Sequence, residues 1–221
     1  MSYILHLETA TKVCSVALSK DGKLVALKEA KEDGYSHGEN LTLFIQDVLD
    51  YEGIQSSELS AVSLASGPGS YTGLRIGAAT AKGLCYALNI PLIAIDALTS
   101  LAELSNGKYE GFNRCPVIDA RRMEVYNLFL DENGNRLKEI TADVIDEESY
   151  KEFEPFVCFG DGAEKLQKLW IGRNIEFDFD IESSAKGQVA LAHKSLQNED
   201  FVDVAYWEPF YLKDFVAGKK S

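Results

Sequence analysis

Three acidic residues stand where predicted strands end and turns begin, a placement suited to binding a metal ion or a phosphate group. Glu8 ends an apolar run that starts at residue 3, and Asp119 ends a second such run. Asp161 lies between two glycines, directly after the run 156–159. Carboxylates can hold Mg²⁺ together with substrate phosphates, and they can equally cap turns and helices. Metal binding and turn capping are therefore both candidate roles for these acids.

A glycine-rich loop, Ser-Gly-Pro-Gly-Ser at 66–70, joins an apolar run to a helical pattern that continues to residue 88. This arrangement can point backbone N–H groups at an anion. Its spacing fits neither standard phosphate loop, because neither Gly67 nor Gly69 is followed five residues later by Gly-Lys-Ser/Thr. Gly73 also falls one residue late for a dinucleotide loop. Arg75 could pair with a phosphate or carboxylate, or form a surface ion pair.

Small residues recur at every fourth position of the following helix: Gly73, Gly77, Ala81 and Cys85. This spacing places them on one helix face. Each interior glycine costs roughly 1 kcal/mol of helix propensity relative to alanine, so the close approach of another backbone should offset that cost. Two interpretations remain open, namely packing on the chain's own sheet and contact with a helix of another subunit.

The preceding elements can position this helix and the first acid. Three strands at 3–8, 14–19 and 24–29 are predicted, the last two joined by an Asp-Gly turn. An amphipathic helix at 37–51 follows, since Leu41, Phe44, Ile45 and Val48 repeat at helical spacing. Strands at 62–65 and 89–95 then flank the small-residue helix, and a short helix spans 97–104.

A similar plan recurs after the polar, glycine-bearing segment 105–111. Strands are predicted at 115–119, 124–130, 137–144 and 156–159, and helices at 146–153, 163–170 and 183–196. The duplication of strand, acid, turn and hairpin predicts two ribonuclease-H-like halves. We place them at 1–105 and 106–221.

The charge balance narrows the classes of partner. Against 22 Lys and Arg the 221-residue chain has 35 Asp and Glu, a formal net charge of −13, which disfavours direct binding of nucleic-acid phosphates. No run has the length of a membrane span and the amino terminus lacks a basic region, so a cytoplasmic protein is expected. The three histidines are far apart and no Cys-x-x-Cys pair occurs, which argues against a metal site or a disulfide framework.

The glycine motif and further segments along nearly the whole chain resemble the TsaB (YeaZ) family of bacteria. The matching segments are 66–77 with 81–83, 8–11, 14–17, 37, 90–92, 116–122, 124–126, 160–162 and 209–212. The resemblance implies an α/β fold of the ASKHA (actin/Hsp70/sugar-kinase-like) class with mixed sheets. It also implies a scaffold and dimerisation subunit of the complex that makes N6-threonylcarbamoyladenosine in tRNAs reading ANN codons.

The implied partners are the catalytic subunit TsaD, the ATPase TsaE and, for the chain alone, a second copy, with tRNA contacted only indirectly. The family's pairing surface is made by the first two helices, which the resemblance places at 37–51 and 72–88. The residues predicted to face a partner are Leu41, Phe44, Ile45, Val48, Gly73, Ile76, Gly77, Thr80, Ala81 and Leu84.

The expected protein is not an enzyme and has no catalytic residue or metal of its own. The catalytic paralogue's His-x-x-x-His pair is missing here, and Glu8 stands where the family usually has aspartate. ATP or ADP and metal are expected only in the complex. The residues assigned to a phosphate vicinity are Glu8, Thr9, Gly67, Gly69 and Arg75.

Two enzymatic alternatives remain. The first is a nucleotide-dependent ATPase or phosphotransferase of the ASKHA class that uses Glu8, Thr9 and the glycine loop. The second is a glycoprotease-like peptidase, for which Ser70 has no evident His–Asp support.

Overall fold

The first half of the chain forms a five-stranded mixed sheet with helices on its faces. A computed structural model describes residues 1–31 and 37–213. The elements are β1 (Tyr3–Glu8), β2 (Val13–Lys20), β3 (Lys23–Lys31), α1 (His37–Glu52), β4 (Leu59–Ala65), α2 (Tyr71–Leu88), β5 (Leu92–Ile95) and α3 (Ala97–Glu103). The strand order is β3-β2-β1-β4-β5, with β1 antiparallel to β2 and parallel to β4.

The second half repeats this sheet. Its elements are β6 (Asn113–Asp119), β7 (Glu124–Leu130), β8 (Arg136–Val144), β9 (Phe156–Phe159), α4 (Glu164–Gln167), β10 (Ile175–Asp178) and α5 (Val189–Gln197). The order β8-β7-β6-β9-β10, with β6 antiparallel to β7 and parallel to β9, matches the first sheet strand for strand. The prediction of two ribonuclease-H-like halves in an α/β fold is confirmed.

One helix from each half packs on the sheet of the other half. On β1, Leu5 packs in the cluster with α1 and α2, whereas Ile4 on the opposite face packs with Ala192 of α5, as strand alternation requires. Helix α3 instead packs on the second sheet, where Leu98 joins Ile118 and Phe159. Since α5 returns to the first sheet, the boundary at 105/106 separates the sheets but not every helix, and it stays a prediction.

The second half differs from the sequence prediction in its helices. The predicted helix at 146–153 is a loop with a 3₁₀ turn at Lys151–Phe153. The Asp146 carboxylate accepts the N–H groups of Glu148 and Ser149 at 3.1 and 2.8 Å, and this Asx turn competes with helix formation. The helix predicted at 183–196 begins as a 3₁₀ turn at Ala185–Gln188.

Two further predictions in this half were incomplete. Only Glu164–Gln167 of the predicted helix at 163–170 is α-helical. Strand β10 was missed, although Ile-Glu-Phe-Asp alternates apolar and acidic residues as a half-buried strand does. Within residues 1–31 and 37–213, no helix combines the length and the hydrophobicity that crossing a bilayer requires.

The small-residue stripe of α2 packs on the chain's own β1–β2 turn. A Cβ atom at Gly73 would lie 2.0 Å from the Thr9 carbonyl oxygen, and one at Gly77 would lie 2.4 Å from Thr9 Oγ1 and 2.9 Å from Leu64 Cδ1. Ala81 is also buried. The backbone approach that offsets these glycines is therefore within one chain, which corrects the expectation that the stripe contacts another subunit.

Substitutions at two α2 glycines should have opposite effects on folding. We expect Gly77→Leu to destabilise the protein by about 3 kcal/mol or more, because the side chain has no room beside Thr9. Gly83 is exposed with no atom within 4 Å of its Cβ position, so Gly83→Ala should stabilise the isolated chain by up to about 1 kcal/mol. Urea unfolding of dilute protein measures both. A Gly77→Leu protein of unchanged stability would contradict the intramolecular packing.

Candidate functional site

The three strand-end acids come together between the two sheets. The Asp161 carboxylate accepts the backbone N–H of Asp119 at 2.9 Å. Burial, with the charge of Asp161 adding to it, raises the pKa of Glu8 to about 7, although the Ala10 N–H donates to Glu8 Oε1 at 2.7 Å. The structure thus brings together three acids that the sequence offered only as separate candidates, and Glu8 is a buried carboxyl that readily holds a proton.

A lysine supplies a fixed positive charge beside these acids. Lys165 Nζ donates to the Asp119 carboxylate and to the carbonyl oxygens of Arg122 and Glu124, the last two at 2.9 and 2.6 Å. Burial is the main cause of a raised pKa at Asp161. Among the described residues, no group of three or more His, Cys, Asp or Glu side chains could hold a metal ion. The Asp119 carboxylate is already neutralised by an ammonium group of the chain itself.

The glycine loop is covered by its own chain. Gly67 has φ of +104°, and a Cβ atom at this position would lie 2.7 Å from the carbonyl oxygen of Phe210. A Cβ atom at Gly69 would lie 2.2 Å from the carbonyl oxygen of Ala10. Ser70 caps α2 by accepting the Gly73 N–H at 3.3 Å. An anion would have to displace chain from Gly67 and Gly69, so the loop acts as a packing turn rather than the predicted phosphate vicinity.

Thr9 and Arg75 do not join the acids. Thr9 is fully buried, and its hydroxyl faces Gly77 of α2. Arg75 is exposed, with its guanidinium 5.5 Å from the centre of the Tyr71 ring. It lines an open groove of about 360 Å³ between α2 and residues 207–211, which none of the three acids lines. The predicted phosphate set is therefore dispersed over two separate places.

The predicted partner face is largely buried in the core. Leu41, Phe44, Ile45 and Val48 of α1, together with Gly73, Gly77 and Ala81 of α2, all pack within this chain. The apolar period that identifies a helix marks the face turned to its own sheet, and for this reason these seven residues were assigned wrongly. Ile76, Thr80 and Leu84 remain partly exposed.

A second row of small residues was missed by the sequence prediction. Ala79, Gly83 and Ala87 are exposed and also recur every fourth residue, on the opposite side of α2 from the buried stripe. Exposed apolar side chains accompany them, with Tyr86 at 86% exposure and Leu43 of α1 at 61%. The spacing was visible in the sequence, but which row faces outward was not. We call Ala79, Gly83, Ala87, Tyr86 and Leu43 the outer face.

The buried Glu8 carboxyl should make stability depend on pH. Its pKa is about 7 in the folded protein against an ordinary 4.5, so the stability that the proton contributes at low pH is lost as pH rises through 7. Relative to the wild type, Glu8→Gln should gain on the order of 3 kcal/mol between pH 4.5 and 8. Urea unfolding at both pH values measures this gain. A difference that does not change with pH would contradict it.

Comparison with known proteins gives matches to a family model and to individual relatives. A family model described as TsaD, tRNA N6-adenosine threonylcarbamoyltransferase, matches residues 31–206. The tRNA threonylcarbamoyladenosine biosynthesis protein TsaB of Escherichia coli is 31% identical over 226 residues, which cover 98% of this chain and 97% of that protein.

Solved structures agree with these matches. YeaZ from Pseudomonas aeruginosa has a TM-score of 0.81 and 25% identity, covering 96% of this chain and 100% of its own. An inorganic polyphosphate/ATP-glucomannokinase from Arthrobacter has a TM-score of 0.51 at 10% identity, covering 90% of this chain and 100% of that chain, and shares the fold alone. The duplicated sheets are those of the ASKHA fold. The chain belongs to the TsaB (YeaZ) family.

Proposed function

We propose that this chain is a non-catalytic cytoplasmic scaffold that binds a TsaD-type threonylcarbamoyltransferase and supports it in making N6-threonylcarbamoyladenosine in tRNAs reading ANN codons. The observation that carries the proposal is the outer face on α1 and α2. The name of the E. coli relative, a tRNA threonylcarbamoyladenosine biosynthesis protein, supports the pathway.

The outer face has the chemistry of a helix–helix contact. Gly83 lies in the interior of an exposed helix with open space around its Cβ position, where alanine would be more favourable by roughly 1 kcal/mol. A partner backbone packed against Ala79 and Gly83 offsets that cost. Tyr86 of the same helix and Leu43 of α1 supply exposed apolar area, and exposed tyrosines often anchor interfaces. The same face would pair with a second copy when the catalytic subunit is missing.

The cleft supports an accessory role. Lys165 neutralises Asp119, and Phe210 and Ala10 fill the space beside the glycine loop. A nucleotide site needs loop amides open to the ligand, and here the N–H groups of Ser66 and Ser70 donate to the carbonyl oxygens of Ile95 and Ala10. In our proposal, nucleotide, metal and the TsaE-type ATPase act only in the assembled complex. With a net charge of −13, the partners hold the tRNA.

A larger side chain on the outer face should weaken pairing with a partner and leave the fold intact. We expect Ala79→Leu to weaken binding to the purified catalytic subunit by about tenfold or more, because the helices can no longer approach closely. Ala190 is an exposed alanine on α5, and Ala190→Leu is the matched control. Light scattering measures pairing, and urea unfolding confirms that both variants fold.

The second readout is tRNA modification. Wild-type chain and Ala190→Leu should support N6-threonylcarbamoyladenosine formation by the catalytic subunit, whereas Ala79→Leu should support much less. Full activity of Ala79→Leu with normal pairing would overturn the assignment of the outer face. Modification that does not depend on this chain at all would overturn the scaffold function.

The isolated chain should also fail to bind nucleotide. Titration with Mg²⁺ and ATP in a calorimeter should give no saturable heat in the micromolar range, because the loop and the acids are occupied. Micromolar binding that Glu8→Ala abolishes would instead support an ATPase or phosphotransferase.

A further inference from the structure

The second sheet ends in an edge strand that the proposed function does not use. Strand β10 pairs in parallel with β9 through Ile175–Asp178, and among the described residues no other strand pairs with its outer side. An edge strand presents unpaired N–H and C=O groups along that side. Such an edge can accept an extended segment as an additional strand.

An open groove of about 380 Å³ lies along this edge. Its lining combines carboxylates with aromatic rings, and the residues that matter are Tyr109, Glu176, Phe177, Asp178, Phe179 and Asp180. Because side chains alternate along a strand, Glu176 and Asp178 project from one face of β10 and Phe177 projects from the other.

One carboxylate of the groove, that of Asp178, is held in place by hydrogen bonds. The Tyr109 hydroxyl donates to Asp178 Oδ2, and the Asp180 N–H donates to Asp178 Oδ1 at 2.9 Å. Lys108 is the nearby cation, and its charge acts on Asp178. Among the described residues neither Glu176 nor Asp180 forms a salt bridge. The groove thus presents negative charge to whatever approaches the edge.

The opposite face of the strand offers apolar surface. The rings of Phe177 and Phe179 stack with centroids 5.9 Å apart and an interplanar angle of 19°. Phe179 is 43% exposed. Phe177 also packs on the core cluster of Trp170, so the exposed ring of Phe179 is the surface that gains by packing against apolar side chains or the stem of a lysine.

We propose that the β10 edge binds an extended protein segment in which lysine or arginine alternates with apolar residues. An added strand also alternates its side chains between two faces. One set then meets Glu176 and Asp178, and the other meets Phe177 and Phe179. Charge complementarity selects a basic segment over an acidic one. This inference goes beyond the scaffold function and uses no residue of the outer face.

A different role for the same acids makes the opposite prediction. Charged residues on an edge strand can serve to prevent association with other strands. In that case no extended peptide binds, and removing the charge from Glu176 promotes aggregation. The two roles are separated by a peptide of defined pattern.

The test uses the full chain and a fluorescein-labelled peptide that alternates lysine and valine over about eight residues. Salt at about 0.15 M suppresses long-range charge effects. Fluorescence anisotropy under this condition should show saturable binding. A peptide that alternates glutamate and valine should not bind. Glu176→Lys should weaken binding about tenfold, and Phe179→Ser by a similar factor.

Glu152→Lys is the matched control, because Glu152 is exposed on a 3₁₀ turn of the same half and forms no salt bridge within the described residues. It makes the same change in net charge and should leave binding within about twofold. Equal loss in Glu152→Lys and Glu176→Lys would show that only net charge matters and would overturn the proposal. Failure of the lysine–valine peptide to bind, together with aggregation of Glu176→Val, would also overturn the proposal.

Discussion

The close seating of α2 on the β1–β2 turn is the contact on which much of the structure depends. Thr9 contributes both its carbonyl oxygen and its hydroxyl to this contact, opposite Gly73 and Gly77. Because no side chain intervenes, the helix lies flush against the turn that carries Glu8. The same seating turns Ala79 and Gly83 outward. One steric constraint thus sets both the distance between α2 and the β1–β2 turn and the orientation of the outer face.

The acids in the cleft between the two sheets form contacts within the chain. Glu8 is buried and protonates near neutral pH, and Asp119 is paired with Lys165. Such an arrangement adds to the rigidity of the turns at the sheet ends but leaves few free ligands for a cation. In the scaffold function that we propose, this rigidity keeps the two partner-facing helices in a constant orientation.

Both functions that we propose for this chain lie on surfaces rather than in a pocket. The outer face is apolar and small, and it suits a helix. The β10 edge is acidic and aromatic, and it suits an extended basic segment. The two lie on different halves, so one partner could occupy each without competition. A strongly acidic surface elsewhere, from the net charge of −13, discourages direct contact with nucleic acid.

The sequence by itself determined the first sheet, four of the five strands of the second, the approximate bounds of α1 and α2, and the family, because these depend on local spacing and turn residues. It failed for 146–153 because the Asx turn of Asp146 competes with a helix. It also could not tell which of two rows on α2, Gly73 and Gly77 or Ala79 and Gly83, is buried. Only the tertiary structure decided this, since burial depends on where Thr9 lies, and that position is set by residues distant in the chain.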